Sequence, residues 1–247
     1  MFRNLPTATR HLLLINLLFW LADILFRQYH ISLSALLGLH YVTASDFHFW
    51  QPVTYMFMHA DLSHIFCNMF AVWMFAPVLE REWGTNKFLV YYFVCGIGAA
   101  IVQETVWALH IQHLLTQYTA ATVALNYTNQ VVTIGASGAV FGILFAFGWL
   151  FPDVKMFLLF LPIPIRARTF VIIYAVIELL AGFSHIEGDN VAHFAHLGGM
   201  LFGYLLMLWW QKGKQLFKWH HTHSDTEDDD RRGKDFSDYH YQQRIDE

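Results

Sequence analysis

Long apolar runs separated by short polar segments dominate the hydrophobicity pattern of this chain. A helix needs about 20 residues to cross the hydrocarbon core of a bilayer, and several runs come close to that length. The first and the fifth of them are the shortest. We therefore predict six membrane-spanning helices, over residues 11–26, 62–79, 88–109, 131–151, 167–183 and 191–210.

The segments between these runs differ in character. Residues 27–61, between the first two spans, contain aromatic side chains typical of the headgroup region, so we predict a structured external loop partly immersed in the outer interface. The segment 111–130 carries no Asp, Glu, Lys or Arg and is predicted to be an external loop. The run 156–165 is too short to span, and Pro162 and Pro164 break any helix, which indicates a loop lying against the membrane.

The distribution of charge gives an independent indication of topology. If the connections alternate across the membrane, 14 of the 15 Lys and Arg residues lie on one side, and only Arg27 lies on the other. The positive-inside rule then places both termini in the cytoplasm. From about Gly213 the chain becomes polar and charged, so we predict one membrane domain, 1–212, and a flexible cytoplasmic tail, 213–247.

Composition narrows the class of protein. Hydrophobic residues make up 56% of the 247 residues and charged residues 14%, which excludes an ordinary soluble domain. The first apolar run is not followed by a plausible signal cleavage site, so we interpret it as a retained helix. Cys67 and Cys95 both lie within predicted spans, which argues against a disulfide framework.

Three polar clusters lie inside segments that should dissolve in lipid. They are Ser137 in GASGAVFG, His196 in AHLGG, and His64 with Asn68 in HIFCN. Polar side chains are costly in hydrocarbon, so each cluster indicates a function. Each follows the predicted outer end of its helix by a few residues, which at 1.5 Å per residue is on the order of 3–9 Å of depth. We therefore expect the four side chains to share one layer in the outer third of the membrane.

Helix geometry is expected to bring these side chains together. His64 and Asn68 are spaced i, i+4 and therefore share one helix face. The G-x-x-x-G motifs that begin at Gly138 and Gly199 predict close packing of the fourth and sixth spans, because small residues let membrane helices approach each other. That packing would bring the serine hydroxyl within reach of the histidine ring.

These groups together have the chemistry to hydrolyse an amide bond. A serine hydroxyl is a weak nucleophile until a base takes its proton, and His196 is the candidate base. The tetrahedral intermediate bears an oxyanion, to which the imidazole and amide of the second span can donate hydrogen bonds. No sequence spacing ties His196 to an intramembrane carboxylate, so we predict a Ser–His dyad; the carboxylates in question are Asp23, Glu104 and Glu178.

The combination of HIFCN in the second span, GASGAVFG in the fourth and AHLGG in the sixth resembles the rhomboid family of intramembrane serine proteases. The resemblance covers residues 10–212. It implies an all-α membrane protein, a six-helix bundle open to the outside that cleaves transmembrane substrates near their outer ends. It also implies Ser137 as the nucleophile and His196 as the base. The oxyanion donors that it implies are His64 and Asn68.

Two positions depart from the family pattern. Phe141 stands four residues after the serine, where some members carry tyrosine; its ring can still pack against His196 but cannot donate a hydrogen bond. Trp50 is followed by Gln51, where many members have a Trp-Arg pair. We expect His59 to be a structural residue of the external loop. The expected supporting residues of the site are Gly135, Phe141, His193 and Gly199.

Three other functions stay open at this stage. Intramembrane His, Glu and Asp residues could form a relay in a transporter, although no inverted repeat is evident. His64, His193 and His196 could bind a metal or haem, although no H-E-x-x-H motif occurs. A rhomboid-like protein that binds membrane clients without cleaving them should lack the serine or the histidine, and this chain has both.

The expectation for the protein is a multi-pass protease of a bacterial inner or plasma membrane, with its active site facing the outside. We expect it to need no metal and no cofactor, because water deacylates the enzyme. Its expected partners are transmembrane protein substrates and the lipid bilayer, and not nucleic acid. The sequence leaves the oligomeric state open.

Overall fold

The computed structural model describes residues 4–117, 121–158, 161–184 and 192–211. These residues form an all-α protein, as predicted, with two short two-stranded antiparallel sheets. The helices are α1 (Thr7–Arg27), α2 (Leu33–Leu37), α3 (Gln51–Thr54), α4 (Leu62–Trp83), α5 (Thr85–Gln117), α6 (Ala121–Gln130), α7 (Ser137–Leu150), α8 (Ala167–Ser184) and α9 (193–211). The strands are β1 (Leu39–His40), β2 (Val132–Thr133), β3 (Lys155–Leu158) and β4 (Leu161–Arg166), and a 3₁₀ turn covers Tyr55–Phe57.

Four of the described helices, α1, α4, α5 and α8, are long and apolar enough to cross a membrane. α7 is also apolar but has only 14 residues. Large apolar side chains such as Leu18 on α1 and Leu180 on α8 are exposed, as expected of helices that face lipid. The chain is therefore a multi-pass membrane protein. The total of six spans and the cytoplasmic position of both termini stay predictions.

α7 lies at the centre of the described helices. Ten of its 14 residues are buried, and α4, α5 and α8 all pack against it. A helix that is apolar all round, as this one is, is expected to be buried all round. Because its neighbours surround it, α7 holds its first residue, Ser137, in a fixed position.

Glycines let α7 approach its neighbours closely. A methyl group on Gly199 of α9 would overlap the Gly138 carbonyl of α7. A methyl group on Gly142 would overlap the Cys95 side chain of α5 and would lie 3.2 Å from the Gly199 carbonyl oxygen. The second glycine of the α9 motif, Gly203, faces α5 instead. The predicted packing of the fourth and sixth spans is thus confirmed, and α5 takes part in it.

Glu80 joins three helices near the C-terminal end of α4. Its carboxylate accepts hydrogen bonds from the backbone N–H groups of Ala8 and Thr9 at the start of α1, each at 2.8 Å. It also accepts one from the Thr85 hydroxyl at the start of α5, at 2.8 Å. A helix N-terminus leaves N–H groups without partners and favours negative charge, so this one carboxylate fixes two helix ends to α4.

The segment 27–61 is structured, as predicted, and Gln51 is the residue that organises it. The Gln51 side chain is fully buried. Its amide nitrogen donates to the carbonyl oxygens of Leu36 and Asp46, at 3.3 and 2.8 Å. Its oxygen accepts a hydrogen bond from the His40 N–H at 3.3 Å. Gln51, which follows Trp50, is therefore an anchor of this segment.

Backbone contacts attach the same segment to α5 and to the end of α6. β1 pairs with β2, with Leu39 opposite Thr133. The Val42 N–H donates to the Glu104 carboxylate of α5 at 3.1 Å, and the Ser45 N–H donates to Asn129 at 3.0 Å. The segment therefore packs against α5, α6 and β2, the elements that precede the turn before Ser137.

Three parts of the predicted architecture are wrong. Residues 155–166 contain the antiparallel strands β3 and β4 rather than a loop, because proline excludes a helix but is tolerated in edge strands. The segment 111–130 is mostly helical, since α5 extends to Gln117 and α6 begins at Ala121. The fourth span begins at Ser137 rather than near 131, because β2 occupies 132–133.

The chain divides into two compact units, Met1–Tyr204 and Leu205–Glu247, and the second is described for residues 205–211 only. The predicted tail, 213–247, lies outside the described residues. The division into a membrane domain of 1–212 and a polar tail therefore stays a prediction.

Candidate active site

Ser137 and His196 lie in contact, although 59 positions separate them in the sequence. Ser137 is the first residue of α7, and His196 lies in the first turn of α9. The Ser137 hydroxyl oxygen, Oγ, is 2.8 Å from His196 Nε2, which is the length of a hydrogen bond. The serine is half-buried and the histidine is buried. The pair therefore meets where the glycines bring α7 and α9 together.

The backbone before α7 determines where Ser137 lies. Gly135 has a φ of +133°, a conformation that favours glycine. Its N–H donates to the Tyr55 carbonyl oxygen at 2.9 Å. Irregular backbone at membrane depth is tolerated only where protein satisfies its hydrogen bonds, and Tyr55 does so here. The sequence predicted Ser137 about one turn inside a helix, whereas this turn makes Ser137 its first residue.

The Phe141 ring stacks on the His196 imidazole. Their ring centroids are 4.2 Å apart and their planes differ by 8°. Phe141 lies one turn after Ser137 on α7, so one helix carries both the hydroxyl and the ring that packs against its partner. The expected packing of this phenylalanine against the histidine is confirmed, and it restricts the plane of the imidazole.

Glu178 of α8 is a site residue that the sequence did not connect to His196. Its oxygen Oε2 lies 2.8 Å from His196 Nδ1, on the opposite side of the ring from Ser137. Both side chains are buried. No sequence spacing ties a carboxylate to His196, and the structure brings Glu178 to it, while the predicted Ser–His dyad stays a prediction. The polar Glu178 in an apolar span indicates that its side chain faces inward, but the sequence pattern does not indicate which side chain it meets there.

His193 contacts the same carboxylate, one turn before His196. Its Nδ1 lies 2.7 Å from Glu178 Oε2. The potential metal-ligand atoms of these three residues lie within 4.8 Å of one another, and imidazole and carboxylate are ligand types that zinc accepts. The candidate metal ligands considered from sequence were three histidines that included His64, whereas this cluster contains Glu178 in place of His64. The distances from Glu178 Oε2 to Nδ1 of His193 and to Nδ1 of His196, 2.7 and 2.8 Å, are the lengths of hydrogen bonds.

His64 of α4 faces the turn before Ser137. The Ala60 N–H donates a hydrogen bond to His64 Nδ1, with 3.4 Å between the two nitrogens. Because Nδ1 is the acceptor, the hydrogen of the neutral ring lies on Nε2. A methyl group on Gly135 would lie 2.7 Å from His64 Nε2 and 3.5 Å from Ser137 Oγ. The imidazole N–H and the serine hydroxyl therefore border one small space, which is open because residue 135 is glycine.

Asn68 lies one turn after His64 on α4 and is buried. Its amide nitrogen donates a hydrogen bond to the His64 carbonyl oxygen at 3.1 Å. Among the contacts of the described residues, none joins Asn68 to Ser137 or His196. An amide carries two hydrogens, so a second one is available to another acceptor.

His59 is fully buried beside His64. The two rings meet edge to face, with centroids 4.9 Å apart. Burial, together with the neighbouring His64, lowers the pKa of His59 to about 3, so this side chain is neutral near pH 7. Asp61 lies between them and caps α4 by accepting the His64 N–H at 2.8 Å. His59, through its ring contact, and Asp61, through its hydrogen bond, therefore help to position His64.

Known proteins resemble this chain over most of its length. The family model of the Rhomboid domain matches residues 46–212. Rhomboid-like protease 3 of Toxoplasma gondii is 30% identical over 188 residues, which cover 74% of this chain and 61% of that protein. Rhomboid protein 1, mitochondrial, of Saccharomyces cerevisiae is 30% identical over 149 residues, which cover 60% of this chain and 38% of that protein.

A bacterial protein also resembles this chain. Rhomboid protease GluP of Bacillus subtilis is 28% identical over 156 residues, which cover 63% of this chain and 25% of that protein. The chain thus spans between 25% and 61% of the length of these three relatives. The family model covers well over half of the chain and includes all four polar residues singled out from the sequence. The chain belongs to the rhomboid family.

Proposed function

We propose that this chain is an intramembrane serine endopeptidase that cleaves transmembrane proteins near the outer face of the membrane. One observation carries the proposal: in a rhomboid-family chain, the Ser137 hydroxyl lies 2.8 Å from His196 Nε2. The names of the Toxoplasma gondii and Bacillus subtilis relatives contain the word protease. Because this chain has both the serine and the histidine, cleavage is favoured over binding of membrane clients without cleavage.

Ser137 acts as the nucleophile and His196 as the base. As the hydroxyl oxygen attacks the carbonyl carbon of the substrate, His196 Nε2 takes its proton. The protonated ring then gives that proton to the leaving amine, and an acyl group stays on Ser137. His196 next takes a proton from water, whose oxygen attacks the acyl carbon. The bond from that carbon to Ser137 Oγ then breaks, His196 returns the proton to Oγ, and the second product leaves as a carboxylic acid. These steps use only groups of the protein and water, so we expect activity without metal or cofactor.

His64, Asn68 and the backbone N–H of Ser137 are the proposed donors to the oxyanion. The His64 Nε2–H and the Ser137 hydroxyl border the space beside Gly135, where a carbonyl oxygen can approach both. Asn68 uses one amide hydrogen within its own helix and offers the second. The loss of one such donor typically costs about 2.7–4 kcal/mol of transition-state stabilisation.

The proposed substrates are transmembrane proteins. A substrate helix hides its carbonyl groups in its own backbone hydrogen bonds, so it must unwind before Ser137 can attack. Since Ser137 and His196 both lie at the beginning of a helix, the bond to be cleaved lies near one membrane face. Membership of the rhomboid family further implies substrates with helix-weakening residues near the outer face and with a small residue at the cleaved bond.

The proposed orientation follows from charge. With six spans formed by α1, α4, α5, α7, α8 and α9, the positive-inside rule places both termini in the cytoplasm and the active site outside. We propose a bacterial cell membrane as the location, although relatives include proteins named as mitochondrial and chloroplastic. Protease treatment of sealed inside-out vesicles should remove residues 213–247. Protection of that segment in such vesicles would contradict the orientation.

Cleavage of a model transmembrane substrate in detergent tests the proposed activity. We expect the purified wild-type protein to cut it, and the variants Ser137→Ala and His196→Ala to lose the activity while keeping their fold. Ser45→Ala is the matched control, since its hydroxyl contacts only the exposed Asp46 among the described residues. Cleavage by Ser137→Ala at the wild-type rate would refute the proposed nucleophile.

Metal removal tests the expectation of metal-free catalysis. Added EDTA should leave the cleavage rate of the wild type unchanged. A loss of activity with EDTA that added zinc restores would contradict metal-free catalysis.

A further inference from the structure

α8 has a narrow inward face that ends in a carboxylate. Its buried residues are Ala167, Val171 and Glu178, whose spacings of four and seven place them on one side of the helix. The neighbours of the last one, Ile177 and Leu179, are exposed. A carboxylate within an apolar span is costly, so one that is retained there indicates a function through its partners.

Glu178 and Ser137 contact opposite edges of one imidazole ring. Glu178 Oε2 lies 2.8 Å from His196 Nδ1, and Ser137 Oγ lies 2.8 Å from His196 Nε2. The side chains of Glu178 and His196 are each 9% exposed, so little water competes for the bond between them. Phe141 covers a face of the ring with a centroid separation of 4.2 Å. These three contacts together fix both the position and the plane of the imidazole.

The carboxylate selects the form of the imidazole that a base needs. An ionised carboxylate accepts hydrogen bonds and donates none, so the contact with Glu178 places a hydrogen on His196 Nδ1. The neutral ring then has its lone pair on Nε2, facing the Ser137 hydroxyl. The other tautomer would direct an N–H at that hydroxyl and would be unable to take its proton.

The same carboxylate offsets the charge that forms during the reaction. When His196 takes the proton of Ser137 it becomes a cation, and opposite charges attract more strongly where water is scarce. His193 Nδ1 lies 2.7 Å from the same oxygen of Glu178 and therefore holds the carboxylate in place. A fixed carboxylate orients the ring without having to reorganise at the moment of proton transfer.

We propose that Glu178 is a positioning residue of the reaction: it orients His196 through Nδ1 and stabilises the protonated ring, while His193 holds the carboxylate. The inference rests on the proposed protease function and replaces the dyad expected from sequence with three cooperating groups. The nucleophile comes from α7, the base from α9 and the carboxylate from α8. The base is therefore fully oriented only while α8 is in its packed position.

Kinetics of Glu178→Gln on the model transmembrane substrate test this role, because glutamine preserves the size of the side chain and removes its charge. We expect kcat to fall by at least about tenfold, while KM changes by less than about twofold. The rate at which a fluorophosphonate labels Ser137 should fall in parallel. A carboxylate that only braces α8 would instead lower the melting temperature or raise KM with kcat unchanged, and that result would overturn the proposal.

Two further variants complete the test. Glu104→Gln is the matched control, since Glu104 is also a carboxylate in a span but accepts the Val42 N–H, and it should keep its kcat. Glu178→Asp keeps the charge on a shorter side chain and should retain more kcat than Glu178→Gln; the reverse order would overturn the proposal. If Glu178→Gln does not fold, Glu178→Asp is labelled in native membranes at equal protein level. Slower labelling than in the wild type supports the role of Glu178, and equal labelling refutes it.

Failure of this inference differs from failure of the protease function. If the wild type does not cleave, or if Ser137→Ala cleaves as fast as the wild type, the protease function is wrong. If the wild type cleaves, Ser137→Ala is inactive and Glu178→Gln keeps its full kcat, only the role of Glu178 is wrong.

Discussion

Gly199 of α9 packs against the carbonyl of Gly138 on α7 with no room for a methyl group. Gly138 directly follows Ser137, and Gly199 lies three residues after His196. The contact between the two glycines therefore sets the separation of the two helices at the level of the proposed catalytic pair. The 2.8 Å between the hydroxyl and the imidazole is a consequence of close helix packing.

Gly199→Ala should separate α7 from α9 and reduce both stability and activity. Overpacking typically costs about 1–3 kcal/mol. A displacement of about 1 Å at reacting groups can cost on the order of 100-fold in rate. Melting in detergent and cleavage kinetics measure the two effects. Leu201→Ala is the matched control on the same helix, because the Leu201 side chain is exposed. A Gly199→Ala variant with wild-type melting and wild-type kcat would contradict this view of the contact.

Gly135→Ala should abolish most of the activity by closing the space beside Ser137. The added methyl group would lie 2.7 Å from His64 Nε2. We expect a loss of about 100- to 1,000-fold in kcat, as for the removal of one oxyanion donor. Gly84→Ala is a demanding control, since Gly84 also has a positive φ, of +80°, but nothing lies within 4 Å of a methyl group there. The two variants should share backbone strain and differ in kcat; an equal kcat would count against the assigned space.

Phe141→Leu should weaken catalysis moderately by freeing the plane of the His196 ring. Stacked ring pairs contribute about 0.5–1.5 kcal/mol beyond burial, which corresponds to about a 2- to 12-fold loss in kcat. Phe145→Leu, one turn further along α7, removes stacking on Trp149 and should leave kcat unchanged. Equal kinetic effects of the two substitutions would show that the loss is general and not transmitted through His196.

Stability should fall as the pH falls below about 6.5, because of His59. Its pKa in the folded protein is about 3, against about 6.5 for a histidine in an unfolded chain. Between these values the unfolded chain binds a proton that the folded protein does not, so each pH unit of acidification costs about 1.4 kcal/mol. Above about pH 7 the ring is neutral in both states and has no such effect. Melting temperatures of the wild type and of His59→Gln between pH 7.5 and 5 measure this contribution. We expect a shallower decline in the variant, and an identical decline would disprove it.

The shared depth of the polar residues could be predicted from sequence because the rise of a helix is fixed. Each of the three residues Ser137, His196 and His64 follows the predicted outer end of an apolar run by a few residues. In the structure, Ser137 and His64 border the space beside Gly135, and His196 contacts Ser137. Glycine spacing likewise predicted which helices approach each other. Both inferences depend on geometry that any helix shares.

The role of Glu178 could not be assigned from the hydrophobic pattern. The carboxylate of Glu178 indicates that its face of α8 points inward, but the hydrophobic pattern does not indicate that His196 lies opposite it. The depth of Glu178 could nevertheless be predicted, since the predicted fifth span ends at residue 183, five residues and therefore about 8 Å beyond Glu178. His196 lies five residues after the predicted start of the sixth span at residue 191, and therefore at a similar depth.

Two errors of the sequence prediction have different causes, one local and one a contact between distant parts of the chain. The uncharged segment 111–130 was predicted as a loop, but residues such as Ala, Leu and Gln favour helix, and most of the segment is helical. The start of α7 was predicted several residues too early, because the turn depends on a hydrogen bond between Gly135 and the distant Tyr55 carbonyl. A contact of that kind leaves no local signal.

Fluorophosphonate labelling of the purified protein, followed by mass spectrometry of the modified peptide, tests most directly whether Ser137 is a nucleophile activated by His196. We expect one adduct per chain, on Ser137, with no labelling of Ser137→Ala and much slower labelling of His196→Ala, while Ser45→Ala is labelled as fast as the wild type. An adduct that persists in Ser137→Ala, or labelling of His196→Ala at the wild-type rate, would contradict the proposed catalytic pair.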